Sequence, residues 1–177
     1  MSIRSFDNTT PRLGARVYVD AQATVIGDVA LGDDVSVWPM CSIRGDVNSI
    51  RIGARSNIQD GSVIHVTHGH EALVGGRAAL VGDEVTVGHN VVLHACTIEN
   101  RCLVGMGSVI LDGAILREGV LLGAGSLVTE ERILEGGYLY VGRPARRVRA
   151  LTPEEMKWFE YSARHYVRLK DRYLAAG

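Results

Sequence analysis

The chain has 177 residues, 46% of them hydrophobic, which is enough for one domain with a substantial core and gives no reason to expect a second. Its 19 Lys and Arg nearly balance its 20 Asp and Glu, and the net charge of −1 excludes the basic excess that nucleic acid or an anionic membrane surface would call for. The opening Met1-Ser2-Ile3-Arg4-Ser5 lacks the apolar stretch of a signal peptide, and no apolar run approaches the ~20 residues of a membrane span, so a cytoplasmic protein with no membrane contact is expected.

Residues 1–12 read as a polar lead-in that covers whatever follows. From there aliphatic residues recur every six positions: Leu13, Val19, Val25, Leu31, Val37 and Ile43, then Ile52, Ile58 and Ile64, then Val81, Val87 and Leu93, then Ile98, Val104, Ile110, Leu116, Leu122 and Val128. Four residues after most of them stands a small or β-branched side chain, as at Ala23, Cys41, Cys102, Ser108 and Ala114. Six is a multiple of the strand period of two but not of 3.6, so a helix would scatter these residues around its circumference. Three short strands joined by corners make a triangular coil of about 18 residues, and coils stacked at the strand spacing of about 4.8 Å bury the aliphatic columns as one core. The prediction is an all-β, parallel β-helix of about six coils over residues 1–151.

The repeat breaks in three places. Its phase slips by three residues between Ile43 and Ile52, gains a loop between Ile64 and Val81, and loses one residue between Leu93 and Ile98. Loops on rigid scaffolds are where sites are built, so these breaks are the places to search for chemistry. From Thr152 the pattern becomes helical: Thr152-Pro153-Glu154-Glu155 is an N-cap hydroxyl, a proline at the first helical position and a glutamate at the third. Met156, Phe159, Ala163, Tyr166, Val167, Tyr173 and Leu174 follow at helical spacing, which predicts an amphipathic helix over 152–177 packed along the solenoid as part of the same structural unit.

Cys41 and Cys102 occupy inward positions suited to free thiols, Cys96 sits beside a histidine cluster, and the absence of CxxC spacing gives no sign of a disulfide framework. His65 follows Ile64 and His94 follows Leu93, each on the third strand of its coil. With the loop removed they share a column one coil apart, about 4.8 Å, close enough to bind one metal ion. His89 lies around a corner on the preceding strand. A three-fold assembly of solenoids would bring that corner against a neighbour's third face, completing a set of three imidazoles with a fourth position open, the pattern of a catalytic zinc site. Arg44 occupies the same column one coil earlier, with Asp46 two residues on, and Asp60 occupies the column of His89, where a carboxylate can orient an imidazole. His68 and His70 lie in the loop and are read as solvated residues, spare ligands or proton shuttles. His165, on the terminal helix, reads as structural.

The hexads together with Ile43-Arg44-Gly45-Asp46, Asn57-Ile58-Gln59-Asp60, Val63-Ile64-His65, Val87-Gly88-His89-Asn90 and Val92-Leu93-His94 resemble the γ-class carbonic anhydrase family over roughly residues 10–175. The resemblance implies a left-handed solenoid, a homotrimer and reversible hydration of carbon dioxide to bicarbonate at metal sites between subunits. It also implies that His65 and His94 of one subunit and His89 of the next bind Zn2+, for which Fe2+ or Co2+ are alternatives. Arg44 and Asp46 match the family's interface pair, Asn57 a nearby polar position, and Gln59 and Asp60 residues close to the reacting water. Tyr140, in a tail read as lying outside the repeat register, matches a tyrosine near the substrate pocket. Two positions depart from the family's active members: Val47 stands where they carry glutamate, and Thr67-His68-Gly69-His70-Glu71 replaces an acidic loop with a shuttle glutamate. His68 or His70 is the expected substitute, because imidazole exchanges protons near neutral pH. Two other readings stay open: an acyltransferase or thioesterase acting on coenzyme A thioesters, and a catalytically weak metal-binding homologue.

Overall fold

A computed structural model describes residues 3–176. The chain winds as a parallel β-solenoid whose strands, mostly two or three residues long, stack coil upon coil. This architecture matches the left-handed β-helix of hexapeptide-repeat proteins. Strand parity turns the sixth-residue aliphatics inward, and they stack in register: Ile43 on Ile64, Ile64 on Leu93, Leu93 on Ile110 and Ile110 on Val128 along one face. These side chains are fully or almost fully removed from solvent. Each such Ile or Leu contributes about 1.5–3 kcal/mol of transfer free energy, so the columns rather than any single contact hold the stack together.

The stack is longer than the hexad count at its far end. Ile133–Leu134 pairs with Ile115–Leu116, and Tyr138–Val141 pairs with Leu121–Leu122, placing Tyr140 directly over Leu122. The tail is therefore in repeat register, contrary to the sequence reading, with a tyrosine in place of an aliphatic. Arg146–Ala150 then folds back antiparallel on Tyr138–Val141 and closes that end. At the other end the lead-in contributes a short strand, Ile3–Arg4, pairing with Val25–Ile26.

At one corner of the triangle the residues three positions after successive inward aliphatics are Arg16, Asp34, Arg55, Glu84 and Arg101, followed by Gly119 and Gly137. All seven adopt positive φ, from 50° to 79°. Their charges alternate from coil to coil, and they pair across coils: Arg16 with Asp34 at 2.6 Å, Arg55 with Glu84 at 2.9 Å, and Arg101 with Glu118.

Helix α1, Pro153–Ala176, begins with the reciprocal cap that its first residues predict. Glu155 N donates to Thr152 Oγ1 at 3.2 Å and Thr152 N donates to Glu155 Oε2 at 2.9 Å. The helix lies along the second face of the solenoid, burying Phe159 and Ala163. Tyr166 and Tyr173 pack edge-on to Trp38, with ring centroids 5.7 and 5.2 Å away. Lys170 is wholly buried, its Nζ 2.8 Å from Asp34 Oδ1 and also paired with Asp171. Among the described residues no helix is long and apolar enough to cross a membrane.

Candidate metal centre

Strands Val63–His65 and Val92–His94 lie side by side, and His65 and His94 are register partners. Ile64 and Leu93 fill the core, so strand alternation turns both imidazoles outward on the third face. His65 Nδ1 and His94 Nε2 approach to 3.2 Å. Two nitrogen ligands at 2.0–2.1 Å from a tetrahedral ion stand about 3.3 Å apart. The pair is thus spaced as two corners of one such coordination sphere.

Each ring is held from behind by a carboxylate. His65 Nε2 is 3.1 Å from Asp46 Oδ1, and Asp46 Oδ2 accepts from Arg44 Nη1. His94 Nδ1 is 2.5 Å from Asp112 Oδ1, and Asp112 Oδ2 accepts from Thr67 Oγ1. An ionised carboxylate only accepts, so these contacts place the ring protons on His65 Nε2 and His94 Nδ1 and leave the two facing nitrogens with free lone pairs. Burial is the largest influence on both carboxyls and pushes them up, but the donors outweigh it: Arg44 and His65 hold Asp46, and Thr67 and His94 hold Asp112, below the usual carboxylate value.

His89 stands on the corner after strand Thr86–Val87, with Nδ1 2.9 Å from Asp60 Oδ2, so that Nε2 is its available nitrogen. It does not meet the other two within the chain. Among the described residues no group of three or more His, Cys, Asp or Glu is placed to hold a metal ion. One chain supplies a convergent pair, and His89 presents a third imidazole from a different edge of the triangle.

The remaining predicted residues are distributed as follows. Asn57 and Gln59 are buried: Gln59 Nε2 donates to Asn57 Oδ1 at 3.1 Å, Asn57 Nδ2 donates to Thr86 Oγ1 at 3.1 Å, and Thr86 meets Ser162 of the helix at 2.7 Å. His68 and His70 are exposed on the loop, with ring centroids 5.7 Å apart. Tyr140 is 4% exposed in the last coil, its hydroxyl donating to Glu135 O at 3.1 Å, and the structure does not bring it to the histidines within the chain. Cys96, beside His94 in sequence, points inward, and burial pushes its thiol up to about 12, which suits packing and not ligation. Sequence reasoning missed Asp112 and Thr67. The available signal was position: Asp112 occupies the corner two residues past Ile110, whose strand lies beside that of His94.

Histidines with this second layer of carboxylates, mounted on a hexapeptide β-helix, define a class: the chain belongs to the γ-carbonic-anhydrase-like hexapeptide-repeat family. It is 54% identical over 175 residues to protein YrdA of Escherichia coli (strain K12), an alignment covering 99% of this chain and 95% of that protein. A carbonic anhydrase of Geobacillus kaustophilus is 38% identical, with 98% of this chain and 91% of the relative covered. Gamma carbonic anhydrase 2, mitochondrial, of Arabidopsis thaliana is 40% identical over 93% of this chain and 58% of the relative. The crystal structure of a hexapeptide transferase family protein from Anaplasma phagocytophilum is similar with a TM-score of 0.89 and 37% identity, covering 97% of each chain. No family model matches the chain.

Proposed function

We propose that the protein is a metal-dependent carbonic anhydrase of the γ type, working as a homotrimer on carbon dioxide and bicarbonate in the cytoplasm. His65 and His94 of one subunit and His89 of the next would hold Zn2+, with Fe2+ or Co2+ as alternatives. The observation that carries this reading is the 3.2 Å approach of two ring nitrogens whose opposite nitrogens both face carboxylates. Two neutral imidazoles with lone pairs aimed at one point repel unless a proton or a cation sits between them. A bound cation of this kind supplies an acidified water, the source of hydroxide near neutral pH.

The chain's own residues set the rest. Asp46, Asp112 and Asp60 fix the ring protons of His65, His94 and His89, and Arg44 holds Asp46. Asp60 also stands at the His89 corner as an acceptor for the reacting water. Gln59 follows Asn57, whose side-chain carbonyl fixes the Gln59 amide and so leaves its oxygen free to accept. His68 and His70, solvent-exposed on the loop that follows His65, would pass the proton to buffer in place of the glutamate of the family's active members.

The test is metal content and stopped-flow hydration of carbon dioxide on purified, metal-reconstituted protein, with His89→Ala as the variant. The reading predicts about one ion per chain and loss of hydration in His89→Ala without loss of the fold. Val47 and the altered loop favour a second reading, a metal-binding homologue that is catalytically weak; bound metal without hydration would select it. The similarity to a hexapeptide transferase family protein keeps coenzyme A thioesters as a third, selected by protein that binds no metal and turns over a thioester.

A further inference from the structure

We infer that Asp112 is a positioning residue shared between His94 and the loop of residues 66–78, so that loading of the metal site and ordering of the loop are coupled through Thr67. The inference rests on the reading of His94 as a metal ligand. The loop interrupts the hexads between Ile64 and Val81, and its base is closed by a backbone pair, Thr67 N to Arg77 O at 3.0 Å and Arg77 N to Thr67 O at 2.9 Å. That base is anchored from two sides. Asn48, in the three-residue slip, donates through Nδ2 to Thr67 O at 3.2 Å and to Gly75 O at 2.8 Å. On the other side Arg77 pairs with Glu131, whose backbone N donates to Asp112 O at 2.9 Å. The Arg77 guanidinium lies where a Cβ on Gly113, at φ 67°, would have to be, so the loop covers the Asp112 corner directly.

The two oxygens of the Asp112 carboxylate serve different masters. Oδ1 faces His94 Nδ1 and Oδ2 accepts from Thr67 Oγ1. A carboxylate is a rigid plane, so rotation of the imidazole that carries Oδ1 along withdraws Oδ2 from Thr67, and a loop that lifts Thr67 frees the carboxylate and then the ring. A cation on His94 Nε2 makes Nδ1–H a stronger donor and holds the ring still, which fixes the carboxylate and the loop base. Linkage makes this reciprocal: whatever orders the loop raises metal affinity by the same factor. His68 follows Thr67 immediately and His70 lies three residues on, so the coupling would place both exposed imidazoles when the site is filled.

The test uses Zn2+ alone as probe, measuring affinity by chelator competition and amide hydrogen exchange of residues 66–78 with and without the ion. In the unaltered protein zinc should slow exchange in this segment, and His94→Ala should abolish both binding and response. Asp112→Ala should lower zinc affinity by about 10–100-fold, the usual cost of losing an outer partner of a ligating histidine. Thr67→Val keeps the Asp112–His94 contact; it should bind zinc yet lose the response of the loop. Loop exchange indifferent to bound zinc, or a response undiminished in Thr67→Val, overturns the inference and leaves the metal site standing. Zinc binding that does not depend on His94 overturns both.

Discussion

Replacing Asp34 with asparagine isolates what holds α1 against the solenoid. Lys170 is fully buried, and its charge is matched by Asp34 Oδ1 at 2.8 Å and by Asp171, whose side chain is 48% exposed. Asp34 is itself shared, accepting from Arg16 Nε at 3.0 Å and Nη2 at 2.6 Å. Removing one partner of a buried pair costs about 3–5 kcal/mol, because the other charge stays desolvated without compensation. Asp171 remains within reach of Lys170, so Asp34→Asn should fall at the lower end, about 3 kcal/mol, or roughly two decades in the folding constant. Lys170→Met fills the same volume without a charge and leaves Asp34 its arginine, so its cost should stay within about 1 kcal/mol. The double variant should resemble Lys170→Met. Equilibrium urea unfolding, followed by far-UV circular dichroism for the helix and by tryptophan fluorescence, for which Trp38 lies against two helical tyrosines, measures all three. An Asp34→Asn cost below about 1 kcal/mol, or a double variant as unstable as Asp34→Asn, would refute the argument that an unpaired Lys170 is what hurts. The pH dependence has a definite sign. The Arg16 hydrogen bond first, then Lys170, hold the Asp34 carboxyl below its ordinary 3.8 against the opposing effect of burial. A depressed carboxylate stabilises the fold fully above its unfolded value and loses that contribution progressively as pH falls from there through the lowered one. The clamp should therefore weaken steadily as pH falls below the ordinary carboxylate value and be lost below the lowered one, and Asp34→Asn should remove that acid component.

Three further outcomes are expected. Burial raises the thiols of Cys41 to about 11 and of Cys96 and Cys102 to about 12, so all three should resist an aromatic disulfide reagent at neutral pH until urea is added; rapid native labelling would contradict their inward placement. Thr152→Ala removes the acceptor for Glu155 N and should cost about 1 kcal/mol in thermal or urea unfolding. The partner carboxyl, Glu155, is pulled down to about 2 by Arg149 first and the Thr152 amide second, so its share of the cap is complete above 4.5 and fades only as pH falls toward 2, which a low-pH helix titration would follow.

The solenoid was legible because its rule is local: every sixth side chain faces inward whatever the rest of the coil does. Handedness was not, since the same spacing serves either hand, and it came instead from the resemblance to a known family. The end of the stack was obscured by Tyr140, an aromatic in an aliphatic column, and by Gly136-Gly137 at the corner before it. His65 and His94 could be placed side by side by counting residues with the loop removed. Asp112 could not, because an aspartate on a corner looks like any solvated one until Thr67, 45 residues away, is seen on its other oxygen. Asn57 and Gln59 likewise look like outward residues of one strand, yet both are buried, and Asn57 is tied through Thr86 to Ser162 of a helix more than a hundred residues on.

The alternating corner has a bearing on how such a chain avoids misassembly. Ile, Val and Leu columns are nearly interchangeable, so a stack that skipped one turn of the coil would lose little in its interior. At the corner it would set Arg16 against Arg55 and Asp34 against Glu84. Non-glycine residues with φ near +55° cost about 1 kcal/mol each, yet five successive corners carry a charge there while the last two carry glycine. The alternation works as a parity check on winding: an odd miscount is flagged by like charges, at an edge of the triangle where neighbouring turns carry opposite signs.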